Sequence, residues 1–170
     1  DMEYPGTWRQ LMQDTLSSSS ERVQAALDAY GLDFMVLELP SSTRTASEAA
    51  ASIGCEVSSI VKSLLFTGKH SGRPVLVLVS GINRVDEELL SDAAGEDMVL
   101  ADPKKVREMT GYAIGGVPPV GFPEPIPSFI DQALTTRAEV WAAAGTPFSV
   151  FRLTPDELIR ITRGEVVQIS

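Results

Sequence analysis

Lys62 lies inside a run of strand-forming residues, Ile60-Val61-Lys62-Ser63-Leu64-Leu65-Phe66. In a strand, alternate side chains share a face. Ile60, Lys62, Leu64 and Phe66 then point one way, and Val61, Ser63 and Leu65 the other. An ammonium among apolar neighbours must reach water, find a partner or await an anionic ligand, because burying it unpaired is costly. The same lysine also fits a structural use, as a charge on an edge strand that discourages further pairing. A second stretch carries chemistry of a different kind: Gly115-Gly116-Val117-Pro118-Pro119-Val120-Gly121. Its glycines permit close backbone approach, and its prolines stiffen the turn. The amides of Gly115, Gly116 and Val117 would suit a carbonyl oxygen, an oxyanion or a phosphate. A tight corner in a barrel would use the same residues.

Other chemistries lack their residues. The chain has one cysteine, Cys55, and one histidine, His70, in a Lys69-His70-Ser71-Gly72 turn. Both read as structural or solvated, which leaves no Cys/His dyad, no zinc ligand set and no Ser/His/Asp arrangement. The glycine loop is neither a Walker motif nor a dinucleotide fingerprint. No metal and no cofactor is expected. The net charge of −9 argues against extensive phosphate neutralisation. Seven acids between Asp86 and Asp102 account for much of it and read as a solvated helical face, followed by Lys104, Lys105 and Arg107. A small anion or a short RNA end still has local positive sites available. No apolar run reaches the length of a membrane span. A lone cysteine and the absence of a basic-then-apolar opening predict a cytoplasmic setting.

The elements that must position these residues follow from periodicity and caps. Residues 1–20 read as an arm or amphipathic helix, with Trp8, Leu11, Met12 and Leu16 at helical spacing. It would dock on the body or on a second subunit of a homodimer, with Ser17 to Ser20 as a polar hinge. Residues 21–170 form the main domain. Ser20 is predicted to cap a helix ending at Gly31, and Asp33 to Leu39 to form a strand. Thr45 and Glu48 form a capping box for a small-residue helix stopped by Gly54. The Lys62 strand should pair with Val75-Leu76-Val77-Leu78-Val79 through a glycine turn, beside the most buried strand of the molecule. Helices are predicted over Asp86 to Ala94, from Pro103 to Met109 and from Pro155 to Arg163, and strands at 98–101, 129–134, 139–142, 149–153 and 166–169. The irregular order of elements predicts a single-domain α/β fold, a mixed β-sheet or partly closed barrel with surrounding helices.

Several motifs occur together in register: Ile60 to Leu65, Thr110-Gly-Tyr, the Gly-Gly-Val-Pro-Pro-Val-Gly loop, and Ala-Ala-Gly before a strand and a Pro-Asp-Glu-Leu helix. In this the chain, from about Ser20 to Ser170, resembles the YbaK/ProX family, the editing domain related to the insertion domain of bacterial prolyl-tRNA synthetases. The resemblance implies hydrolysis in trans of the ester of a mischarged aminoacyl-tRNA, usually tRNA(Pro). It implies that Lys62 is the family's essential lysine and that Gly115 with Pro119 is its Gly-x-x-x-Pro loop. Catalytic positions are therefore expected at Lys62 and Gly115. Substrate contacts are expected at Thr45, Ser63, Gly116, Val117, Pro119, Ala143, Ala144 and Gly145. Ala143 stands where the cysteinyl-tRNA(Pro) deacylases often carry serine, which speaks against cysteine specificity. With Ala142, Ala144 and Gly145 it predicts an apolar wall that sorts small side chains by volume.

The function expected is a trans-editing deacylase acting on tRNA(Pro) that carries a small amino acid. The alternative is a module on the same fold that binds a tRNA end or an aminoacyl group, or regulates, without cleaving. A small-molecule esterase, indifferent to the RNA, is a third reading.

Overall fold

The computed structural model describes residues 16–170. The arm expected over residues 1–15, with Trp8, Leu11 and Met12, lies outside them. Leu16 is buried in the main core. The hinge expected at Ser17 to Ser20 is instead the start of the first helix, α1 (Ser18–Asp28), whose N-cap is Ser17 accepting from the Ser20 amide. Ser20 is fully buried and its hydroxyl donates to Ser149 Oγ. A side chain held inside in this way cannot serve as a cap.

The other helices fall, to within a residue at either end, where the sequence placed them. They are α2 (Ala46–Ile53), α3 (Glu87–Ala94), α4 (Pro103–Thr110) and α5 (Pro155–Thr162). Thr154 and Glu157 close a full capping box on α5. At α2 only half of the expected box forms: Thr45 Oγ1 accepts from the Glu48 amide, and no return bond from the Glu48 side chain accompanies it.

The strands are β1 (Leu37–Glu38), β2 (Ile60–Gly68), β3 (Pro74–Ser80), β4 (Met98–Leu100), β5 (Ser128–Asp131), β6 (Val140–Ala143), β7 (Ser149–Leu153) and β8 (Glu165–Val167). They form one mixed sheet in the order β1-β7-β6-β2-β3-β5-β8, with β4 also pairing with β2. The path has two ends, at β1 and β8, so the sheet is open. β2 and β3 form the expected antiparallel hairpin from Val61↔Ser80 to Thr67↔Pro74. Leu76 to Val79 of β3 have no exposed surface. The alternation along β2 also holds. Val61 and Leu65 join the largest core cluster, while Phe66 and Leu64 pack with Val77, Val79, Leu90, Met98 and Ile169 on the other face.

Four strands are shorter than periodicity predicted, that at Met98–Leu100 by a single residue. Only Leu37–Glu38 of the 33–39 stretch pairs, because the Gln24 side chain takes the place of a neighbouring strand. Its amide donates to the Phe34 carbonyl and its carbonyl accepts from the Val36 amide. The 129–134 stretch turns into a 3₁₀ helix, Gln132–Thr136, after Asp131. The last strand stops at Val167, and the Ile169 amide goes instead to the buried Asp131 carboxylate.

One interruption of the sheet matters for function. On the side facing away from β3, β2 pairs with β6 only at Ile60 and Val61, and with β4 only from Phe66 to Gly68. The intervening residues, Lys62 to Leu65, border a gap. The Leu65 carbonyl faces that side, since it accepts from the Ala101 amide. Main-chain groups alternate along an antiparallel strand, so the Ser63 N–H and C=O face the gap as well.

Candidate active site

A cavity of about 380 Å³ opens at this gap. It is walled by β2, by the ends of β4 and β6, by Thr43 to Ala49 around the start of α2, and by Ile114, Gly115 and Val117. Six of the residues expected at the site line it: Lys62, Ser63, Thr45, Gly115, Val117 and Ala143. Gly116, Pro119, Ala144 and Gly145 are not in the cavity wall and hold up what lies in front of them. The Gly145 N–H donates to the Gly116 carbonyl at 2.9 Å. A Cβ on Gly116 would stand 2.8 Å from the Thr146 backbone, which accounts for a glycine there. Ala144 is fully buried, its N–H donating to the Ser149 carbonyl and its carbonyl accepting from the Ser149 hydroxyl, and Pro119 is buried between Val117 and Val120 in the chain.

Lys62 is half-buried, and its Nζ donates to the Asn83 main-chain carbonyl in the loop after β3. Burial, and to a lesser degree the nearby Arg84 charge, hold its ammonium below the ordinary lysine pKa. Among the described residues no carboxylate lines the cavity, and the other cation in its wall is the exposed Arg44. The glycine loop is one donor poorer than the sequence suggested. The Gly116 N–H is spent within the loop on the Ala113 carbonyl at 3.0 Å. The Gly115 and Val117 N–H groups have no acceptor among the described residues. Preorganised, unpaired donors beside a cation suit a carbonyl oxygen on its way to an oxyanion.

The walls hold two features that run against a purely apolar sieve. Thr43 Oγ1 and Ser63 Oγ are buried and have no hydrogen-bond partner among the described residues. Thr43 was not anticipated. It sits in an irregular loop, fixed there by its amide donating to the Pro147 carbonyl at 2.6 Å. Among the described residues there is no cluster of His, Cys, Asp and Glu able to hold a metal, and no helix is long and apolar enough to cross a membrane.

This arrangement coincides with a family. Residues 40–161 match the model of the aminoacyl-tRNA editing domain. The chain belongs to that family. It is 32% identical over 131 residues to the uncharacterised protein YwhH of Bacillus subtilis, spanning 77% of this chain and 83% of that one. It is 27% identical over 127 residues to EbsC of Enterococcus faecalis, named as a candidate Cys-tRNA(Pro)/Cys-tRNA(Cys) deacylase, spanning 74% and 77% of the two chains. A crystal structure described as a candidate trans-editing enzyme for prolyl-tRNA synthetase superposes with a TM-score of 0.86 at 49% identity, covering 92% of this chain and 99% of that one. The matched region contains Lys62, the glycine loop, the cavity and α5 up to Ile161, so family membership covers the whole site.

Proposed function

We propose that the protein is a trans-editing deacylase that hydrolyses the ester of mischarged aminoacyl-tRNA, with tRNA(Pro) carrying a small amino acid as the substrate and the cytoplasm as its place of action. The observation that carries this reading is the grouping of the unpaired Gly115 and Val117 amides with Lys62 around one cavity. Water adds to the ester carbonyl, the bond to the ribose oxygen breaks, and the proton passes to that oxygen. The Gly115 and Val117 N–H groups meet the developing negative charge, and Lys62 fixes the terminal phosphate or the carbonyl as a point charge. In this reading the substrate's own terminal hydroxyl helps to orient the attacking water, as the resemblance to the YbaK/ProX family implies.

The test is a deacylation screen with tRNA(Pro) carrying Ala, Cys, Ser, Thr or 2-aminobutyrate. Release of at least one amino acid at an enzyme-dependent rate is expected. Tight binding of these tRNAs without release of any of them would identify a binding module instead, and equal turnover of simple amino-acid esters would identify a general esterase.

A further inference from the structure

Six consecutive residues of β2, Ile60 to Leu65, line the cavity. Their side chains alternate between the two faces of the sheet, so a cavity that touches all six lies against the edge of the strand. That edge is bare over a short length. β6 pairs with β2 no further than Val61↔Ala142, and β4 no nearer than Phe66↔Leu100, with one more bond from the Ala101 amide to the Leu65 carbonyl. Lys62 and Leu64 turn their main-chain groups to β3. Ser63 is left with both its N–H and its C=O toward the cavity, and no strand among the described residues meets them. The residue keeps accessible surface although its Oγ has none, so that surface belongs to its other atoms. Folded chains leave few main-chain groups without a partner, and a gap of this kind is filled by water or by a ligand.

The length of the bare edge limits its occupant. One residue's worth of main chain is too short to hold a peptide strand. Its complement is a donor and a carbonyl on a single α-carbon, the pair that the residue opposite presents in an antiparallel ladder. An aminoacyl ester carries that pair, in its α-amino group and its acyl carbonyl. The charges in the wall select the form of the amine. They are Lys62 and Arg44, with no carboxylate among the described residues there, and two cations disfavour an ammonium beside them. An α-amino group titrates close to neutral pH, and the neutral amine keeps its N–H donors. We infer that the Ser63 main-chain carbonyl accepts a hydrogen bond from the α-amino group of the ester, which makes that amine a feature the deacylase reads in its substrate. The inference rests on the deacylase reading above and adds the part of the acyl group that β2 recognises.

The experiment uses the natural protein and acyl groups that differ at the α-position. In the first arm, kcat/KM is measured on tRNA(Pro) carrying alanyl or propionyl, each divided by its uncatalysed rate of hydrolysis. The alanyl ester should be favoured by about tenfold or more, the worth of a hydrogen bond that the propionyl group cannot make. The second arm observes the carbonyl itself. The dipeptide Ser-Leu occurs once in the chain, at Ser63-Leu64. Labelling serine with carbon-13 at the carbonyl and leucine with nitrogen-15 therefore isolates the Ser63 carbonyl as one resonance. Non-hydrolysable 3′-alanylamido-3′-deoxyadenosine should shift that resonance, and 3′-propionylamido-3′-deoxyadenosine at matching occupancy should leave it nearly in place. A resonance that stays put with the alanyl analogue, or that moves alike with both, would overturn the inference, as would equal normalised turnover of the two esters. A shift specific to the alanyl analogue without turnover of either ester would uphold it and overturn the deacylase reading.

Discussion

Gly115 packs its α-carbon face against Arg44: an added Cβ would lie 2.7 Å from Arg44 Cγ and 3.3 Å from its Cα. Gly115 also holds a φ of +91°, a conformation costly for other residues. Gly115→Ala should therefore lower stability by about 1–2 kcal/mol and cut kcat by about tenfold to a hundredfold, since donors to an oxyanion act chiefly in the transition state. Binding of the aminoacylamido analogue should weaken far less. An equal loss of binding and rate would show the loop to be a docking surface.

Lys62→Met should reduce turnover by about a hundredfold or more without loss of stability. The sign follows from its lowered pKa. A folded pKa below the unfolded one means that the unfolded chain holds the proton more tightly, so the charged form costs stability at neutral pH. That cost is relieved as pH rises from the depressed folded value towards the ordinary lysine value near 10.5. The variant should thus be at least as stable as the natural protein at pH 7, with the difference closing in alkaline buffer. A marked drop in melting temperature with normal specific activity would make Lys62 structural.

Ser149→Ala should destabilise by about 1–3 kcal/mol. The Ser149 hydroxyl accepts from the Ser20 hydroxyl at 2.9 Å and from the Thr146 amide at 3.1 Å, and lies 3.0 Å from the Ala144 carbonyl. Because the same turn braces Gly116 through Gly145, turnover should fall as well, although Ser149 is outside the cavity wall. Urea denaturation with kcat/KM on the same preparation measures both effects. Unchanged values would show that the turn holds without its hydroxyl.

Chelators should leave turnover unaltered, because the described residues offer no ligand cluster for a metal. The measurement is deacylation before and after EDTA, with tRNA folding held constant by polyamine. Loss of activity restored by one particular divalent ion would refute the expectation.

The cognate prolyl ester should be hydrolysed about a hundredfold more slowly than the best small acyl group. Trp141 and Ala142 are held in β6 between β2 and β7, and Ala144 behind them is fully buried, so this wall cannot retreat before a ring. Comparable rates on Pro-tRNA(Pro) would mean that the cavity does not exclude by shape.

How far the sequence foretold this can be judged from a few elements. The β2–β3 hairpin, the spans of α3, α4 and α5, and the strand and loop that carry Lys62 and Gly115 all rest on local chemistry, which a single chain displays. The shortened β1 does not, because Gln24 supplies its missing partner from another element. Thr43 was illegible for the same reason: its position depends on a bond to Pro147, far along the chain. The spent amide of Gly116 depends on how the loop closes on Ala113, which composition does not reveal.

The gap beside Ser63 also gives the protein an internal clock. Lys62 and Leu64 turn their amides to β3 and are locked in the hairpin ladder, whereas the Ser63 amide between them meets no strand among the described residues. Its hydrogen should exchange with solvent without any unfolding, well ahead of both neighbours, although it sits midway along a central strand. Filling the cavity should slow that one amide. Occupancy could then be read in an exchange spectrum from a single resonance, with no label on the substrate and no turnover.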